Sequence, residues 1–486
     1  MVQWHKGVVS LLVVLAFLPG RLSAQRGGLT FDCTDERLRQ CFEWAKAQAL
    51  QYAHRGDPVG AWYEAALPNR EAFCMRDVSH QAMGAHVLGL QEHTRNMLRK
   101  FAVNISDSKD WCSFWEINRY DQPAPVDYRN DQEFWYNLPA NFDVLNACYR
   151  MYLWSHDRIY LDDAGFVEFY RRTVTDYVTR WDLGIDRVAI RERFMNGGGS
   201  NRKGRAQMSR GIPSYHEGQP GQTRLGVDLL AFQAAAYGAY SRLSSLRDNS
   251  EESRIFGTKA AEVRRFIEDH FWDQANGRFN ELLLTDGHYA AGGDMRVYLL
   301  YNDALISPDR IIRTLQSLAS GRSVNIELGS HYPEVFYRYG AHEQAYRKLL
   351  ELGDPQTPRR EYPEVSFAWI GALASGLMGI EPSETEGRIA TLARLTEPVS
   401  WAEVCCVPIH GNVIDVRHVG RTETRLTNRS GEAITWIARF YRVGEIEVDG
   451  KALDTKAGKD DVGASVVWGE IPVAAGTSKT ARAVAP

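Results

Sequence analysis

Apolar residues recur at helical spacing through most of this chain and change to strict alternation only near its end. Residues 35–54 place Leu38, Cys41, Phe42, Ala45 and Leu50 on one stripe, and residues 79–103 do the same with Met83, Val87, Leu90, Met97 and Phe101. The pattern continues through 134–155, 162–181, 224–247, 253–273, 293–303, 308–319, 326–340, 341–352 and 364–379. It predicts about eleven helices with few strands between them. No solenoid period recurs. A mainly α architecture follows, and a closed toroid of alternating outer and inner helices over residues 25–390 fits the segment lengths. From residue 401 the chain alternates, as in Val413–Val419, and Asp449-Gly450 is a hairpin turn. Residues 395–486 therefore read as a small antiparallel, sandwich-like β domain.

Residues 1–24 combine Lys6, an apolar run from Val8 to Leu18, Pro19-Gly20 and Leu22-Ser23-Ala24. This is the order of a cleaved signal peptide, and the run is about half of a membrane span. The expectation is export to a periplasmic or extracellular space, with no membrane contact after cleavage. Removing the two basic groups of that segment takes the formal charge from −4 to 55 − 61 = −6. A mildly acidic chain is a poor partner for nucleic acid, which needs a basic surface.

The seven cysteines show no zinc spacing, and the Asn196–Ser200 glycine run lacks a phosphate-loop ending. No metal or cofactor is expected. Cys33 and Cys41 could close a small loop in an oxidising compartment. Cys405 and Cys406, if on a strand, would point to opposite faces. Asn104 and Asn428 head glycosylation sequons. Oligomeric state is not legible.

Four loops concentrate acids and aromatics ahead of helices. In Phe73–Gln81, Arg76, Asp77 and His80 could grip hydroxyls, although Asp77 could equally cap a helix. In Asp110–Asn141, Trp115, Trp135 and Tyr136 lie among Glu116, Asp127 and Asp131, ring faces beside carboxylates as a sugar subsite requires. In Gly211–Asp228, Glu217 follows Tyr215 and His216, and an acid against apolar walls can serve as a proton donor. The fourth feature is a doubled YPEV, at Tyr332–Val335 with Glu334 and at Tyr362–Val365 with Glu364. Proline then glutamate is also ordinary helix-start chemistry, but that leaves the neighbouring Glu361 and Trp369 unexplained.

In order, these features resemble the six-hairpin (α/α)6-barrel glycosidases, the group that includes trehalase, processing α-glucosidases and α-L-rhamnosidases. The resemblance covers residues 35–380. It implies a general acid in Gly211–Gln233, where Glu217 stands in place of the group's usual aspartate. It implies a general base in Glu361–Trp369, with Glu364 or Glu361, or Glu334 from the other copy. The β domain after the helices also looks like the rhamnosidase arrangement, whereas the large N-terminal β domain of many members has no counterpart. The implied function is an exported, exo-acting, inverting glycoside hydrolase on a carbohydrate substrate. Two alternatives stay open. A uronate lyase or unsaturated uronyl hydrolase would use Tyr215-His216 or His331-Tyr332, with Arg76 or Arg210 on the carboxylate. A glycan-binding protein would need no chemistry.

Overall fold

The computed structural model describes residues 28–192, 209–217, 222–321, 325–441, 444–460 and 462–484. The expected signal peptide and the Asn196–Ser200 glycine run lie outside these residues. In chain order the main helices are α1 (Glu36–Gln51), α2 (Met75–Val87), α3 (Gln91–Val103), α4 (Pro139–Ser155), α5 (Ala164–Val174) and α6 (Val227–Leu246). They continue with α7 (Ser250–His270), α8 (Val297–Tyr301), α9 (Pro308–Ser320), α10 (Tyr332–Arg338), α11 (His342–Gly353) and α12 (Pro363–Gly371). Side chains cap many starts. Asp35, Asp163, Asn249 and Ser307 accept backbone N–H groups ahead of α1, α5, α7 and α9. Proline opens α4, α9 and α12, where its missing N–H costs nothing.

Even-numbered helices are buried along nearly their whole length, whereas α3, α7, α9 and α11 bury one stripe only. That separates an inner set from an outer set. Each inner helix touches the next, α2 to α4, α6, α8, α10 and α12, and α12 touches α2. Glycines permit the closest of these approaches. A Cβ on Gly84 of α2 would lie 1.9 Å from the Phe367 carbonyl oxygen of α12.

The strand system begins earlier than residue 395 and recruits the front of the chain. Its strands are β1 (Thr30–Cys33), β2 (Ile380–Pro382), β3 (Arg388–Leu392), β4 (Trp401–Ile409), β5 (Asn412–Val419) and β6 (Glu423–Ser430). After these come β7 (Ile434–Tyr441), β8 (Glu445–Val448), β9 (Lys451–Leu453), β10 (Lys456–Lys459), β11 (Ser465–Val473) and β12 (Thr477–Val484). One sheet runs β1-β4-β5-β6-β12-β8-β9 and the other β2-β3-β7-β11-β10. Pairing is antiparallel except between β3 and β7.

Several expectations change here. The long loops of the body carry short strand pairs, such as Ala72–Cys74 with Glu116–Asn118. Cys405 and Cys406 do not simply alternate, because β4 bulges between Val404 and Val407 and Cys406 takes a φ of 65°. All seven cysteines are free thiols, Cys33 and Cys41 included. Asn428 is fully buried, its amide nitrogen held by the Glu432 and Val473 carbonyls, so the folded chain offers no acceptor there. No described helix is long and apolar enough to cross a membrane.

Candidate active site

The N-terminal turns of three inner helices carry buried acids: Asp77 on α2, Asp228 on α6 and Glu364 on α12. Backbone N–H groups left unpaired at a helix start favour such charges. The close packing of α2 on α12 brings His80, one turn beyond Asp77, against Glu364. His80 Nδ1 lies 2.8 Å from Glu364 Oε1. His331, just ahead of α10, places Nε2 3.1 Å from the same oxygen. The second oxygen, Oε2, is buried without a hydrogen-bond partner among the described residues.

On the far side of His80, Nε2 lies 2.9 Å from Asp143 Oδ2 of α4. Tyr215 donates its hydroxyl to that same Asp143 oxygen at 3.1 Å. Tyr298 and Tyr301 close around the imidazole, with ring centroids 5.7 and 5.8 Å away. A second cluster adjoins the first. Arg76 Nε donates to Asp77 Oδ1 at 3.1 Å, and Nη2 donates to Glu327 Oε2 at 3.0 Å. Tyr362 donates to Asp77 Oδ2 at 2.5 Å.

Electrostatics separate these acids. Burial raises the Asp77 carboxyl to about 6, with the Arg76 charge opposing and the Glu364 charge adding. Glu364 goes the other way. Burial alone would raise it, but His80 and His331 together hold it well below the usual carboxylate range. His80 is lifted to about 10, since Asp143 and Glu364 outweigh its desolvation. Burial lowers His331, and the neighbouring His80 charge lowers it further. Asp228 is raised to about 6 by burial, although Tyr215 N–H and the Ser214 hydroxyl both donate to it. His80, His331 and Glu364 also place ligand-type atoms within 4.8 Å of one another, a spacing that could hold a cation.

The structure thus gathers Arg76, Asp77, His80, Tyr215 and Glu364 from three separate stretches of sequence. Trp115 and Glu116 stand next to the start of α2, since Met75 N–H donates to the Trp115 carbonyl and Glu116 pairs with Cys74. Arg70 clamps Glu116 and Asp127 together, at 2.9 and 3.3 Å. Burial and then Asp127 push the Glu116 carboxyl up to about 9. His216 and Glu217 follow Tyr215 as half-buried residues.

Other expected members lie elsewhere. Tyr136 is fully buried, its hydroxyl turned to Asn141 and Met75, and is a core residue. Trp135 bonds Asn137, and Asp131 bonds Ser108 and Tyr128 in a partly exposed loop. Trp369 is fully buried and donates to the Leu349 carbonyl of α11, so it faces an outer helix. The Glu361 side chain is exposed, while its carbonyl accepts from Tyr52 and Gln48. Glu334 pairs with Arg150 and Arg338 at 2.7 and 2.8 Å, one turn past His331 and away from Glu364. Sequence reasoning missed Asp143, Asp228, Glu327, Tyr298 and Tyr362. Asp143 had a usable signal, a lone acid inside an otherwise apolar helical run.

No protein-family model and no curated protein matches the sequence. Solved structures do match the fold. The GH78 rhamnosidase of Bacillus sp. GL1 aligns with a TM-score of 0.57 at 13% identity, covering 83% of this chain and 41% of that one. An α-L-rhamnosidase from Dictyoglumus thermophilum gives 0.60 at 11%, covering 94% and 50%. A putative kojibiose phosphorylase from the human microbiome gives 0.56 at 9%, covering 92% and 63%. The fold is similar to that of the (α/α)6-barrel glycoside hydrolases. The chain spans between 41% and 63% of the length of these neighbours, and at such identities the likeness is one of fold.

Proposed function

We propose that this protein is a glycoside hydrolase whose inner helices close into a six-hairpin toroid, with Asp77 as general acid and Glu364 as general base. One observation carries the reading. Two buried carboxyls on touching helices have been driven in opposite directions, Asp77 up to about 6 and Glu364 well below its ordinary range. An acid and a base poised apart in this way are what glycosidic cleavage needs. Asp77 gives its proton to the leaving oxygen. Glu364 Oε2, the oxygen without a partner among the described residues, takes a proton from the attacking water, and His80 and His331 fix the orientation of Oε1. The water oxygen bonds to the anomeric carbon as the old bond breaks, so configuration inverts. Arg76 holds Asp77 and Glu327 in place at the same end of the ring. Glu217, half-buried beyond Tyr215, is the expected acid of the sequence resemblance and takes a peripheral, substrate-contacting role here. Export and action on terminal sugars complete the proposal.

A lyase mechanism is disfavoured. Burial and then Asp143 push the Tyr215 phenol well above its ordinary range, so it stays protonated at neutral pH and is not available to take a proton. The test is a screen of chromogenic glycosides followed by kinetics on the active substrate. Asp77→Asn and Glu364→Gln should each lower kcat by about 10²–10⁴ with the circular dichroism spectrum unchanged. NMR should show inverted product. Full activity in either variant, or a retained anomer, refutes the assignment.

A further inference from the structure

The inner helices that carry the acids at one end open at the other end onto a cavity of about 680 Å³. That is the size of a small-molecule site. Small residues create the space. Ala235, Gly238 and Ala239 of α6 face Gly257 and Ala260 of α7 along one wall. A Cβ on Gly238 would meet nothing within 4 Å.

The charge of this cavity is unbalanced. Arg150, Arg242, Arg264, Arg338 and Arg394 line it against Asp303, Glu334 and Glu381, so five cations face three anions. Those three acids are already engaged. Glu334 is shared by Arg150 and Arg338, Asp303 pairs with Arg338 at 3.2 Å, and Glu381 pairs with Arg394 at 2.7 Å. Among the described residues Arg242 pairs with Glu384 alone, at 3.6 Å, with 64% of its side chain exposed. Arg264 makes no ion pair among the described residues, and its Nε is buried without a partner. One acceptor is stranded as well. Asn302 is 4% exposed, and its Oδ1 has no partner among the described residues although Nδ2 donates to the Tyr298 carbonyl. A buried acceptor left unsatisfied is costly, so it points to a missing donor.

We propose that this cavity binds an anionic monosaccharide, a sugar phosphate or a sugar acid. The anion pairs with Arg264 and Arg242, a ligand hydroxyl donates to Asn302 Oδ1, and Tyr301 and Tyr149 supply ring surface. Guanidinium groups suit carboxylate and phosphate alike, so the charge does not choose between the two sources.

Calorimetric titration of the full chain distinguishes them. The probes are glucose 6-phosphate, glucuronate, glucose and inorganic phosphate. One or both anionic sugars should bind at least tenfold more tightly than glucose or phosphate, and the one that does names the source. Arg264→Gln should weaken that binding about tenfold, equivalent to about 1.4 kcal/mol. Gly238→Leu, which fills open space on a helix, should abolish it while the melting temperature holds. The proposal is overturned if neither anionic sugar binds, or if phosphate binds as tightly as the sugar phosphate. It is equally overturned if binding survives both substitutions, which would place it elsewhere on the chain.

Discussion

Replacing His80 by glutamine removes the one cation that stands between two buried carboxylates, Glu364 at 2.8 Å and Asp143 at 2.9 Å. Its folded proton affinity of about 10, against 6.5 when free, corresponds to about 5 kcal/mol at 1.36 kcal/mol per factor of ten. The same contacts depress Glu364, so the two shifts describe one interaction and are not added. Removing one partner of a buried pair costs about 3–5 kcal/mol, in agreement. Unfolding entropy near 2.1 cal/mol/K per residue gives roughly 1 kcal/mol/K for a chain of this size, so His80→Gln should melt about 3–5 °C lower. The pH dependence has a definite sign. A group with a raised folded affinity stabilises fully below its free value and loses that contribution as pH rises through the folded one. The gap between wild type and variant should therefore be widest near pH 6 and close above about 10. Paired melting curves in matched buffers across that range check it. A variant as stable as wild type near pH 6, or a gap of constant size, refutes the ion-pair account of this cluster.

With a general acid at about 6, kcat/KM should fall tenfold per pH unit above that value. Glu364 stays ionised well below the usual carboxylate range, so no matching acidic limb should appear while the fold survives; a profile rising through pH 6 would contradict the roles. Trp369→Ala should cost about 3–5 kcal/mol of stability in thermal melts, as a buried aromatic does, with KM unchanged. A raised KM at intact stability would return Trp369 to a substrate subsite. Gly238→Ala should stabilise α6 by about 0.5–1 kcal/mol, because the added methyl meets open space; a lower melting temperature would show the cavity wall to be tighter than drawn.

The helical body and the strand-rich end were legible because periodicity is local. Chain-closing partnerships were not. β1 pairs with β4, and Phe31 lies opposite Val404 across more than 370 residues. Nothing near Phe31 announces that. Helix rotation separates side chains that lie close in sequence. Trp369 follows Glu364 by five positions, and 3.6 residues per turn carries it about 140° around α12, toward α11 rather than the site. His80 follows Asp77 by three positions, about 60° short of a full turn, and stays on the same inner face. Tyr136 is fully buried with its hydroxyl on Asn141 and Met75, whereas its neighbour Trp135 is only partly buried. Asp143 and Asp228 went unremarked because each lies inside an apolar run, where composition suggests core.

One physical bias underlies both ends of the inner helices. Inner helices aligned in the same direction sum their dipoles, positive where they begin and negative where they finish. Asp77, Asp228 and Glu364 occupy first turns, whereas Arg338 stands in the closing turn of α10 and Arg242 in the C-terminal half of α6. Each end thus carries charges that counter its dipole, with Arg76 among the acids at one end and Asp303, Glu334 and Glu381 among the arginines at the other. The dipole at a helix start lowers a carboxyl, so the raised affinity of Asp77 means that burial has overcome both it and Arg76. Glu364 shares the same helix-start setting and equal burial, and differs in having two histidines. The proposed division into acid and base thus rests on His80 and His331 rather than on the carboxyls themselves, so perturbing His80 tests the site directly.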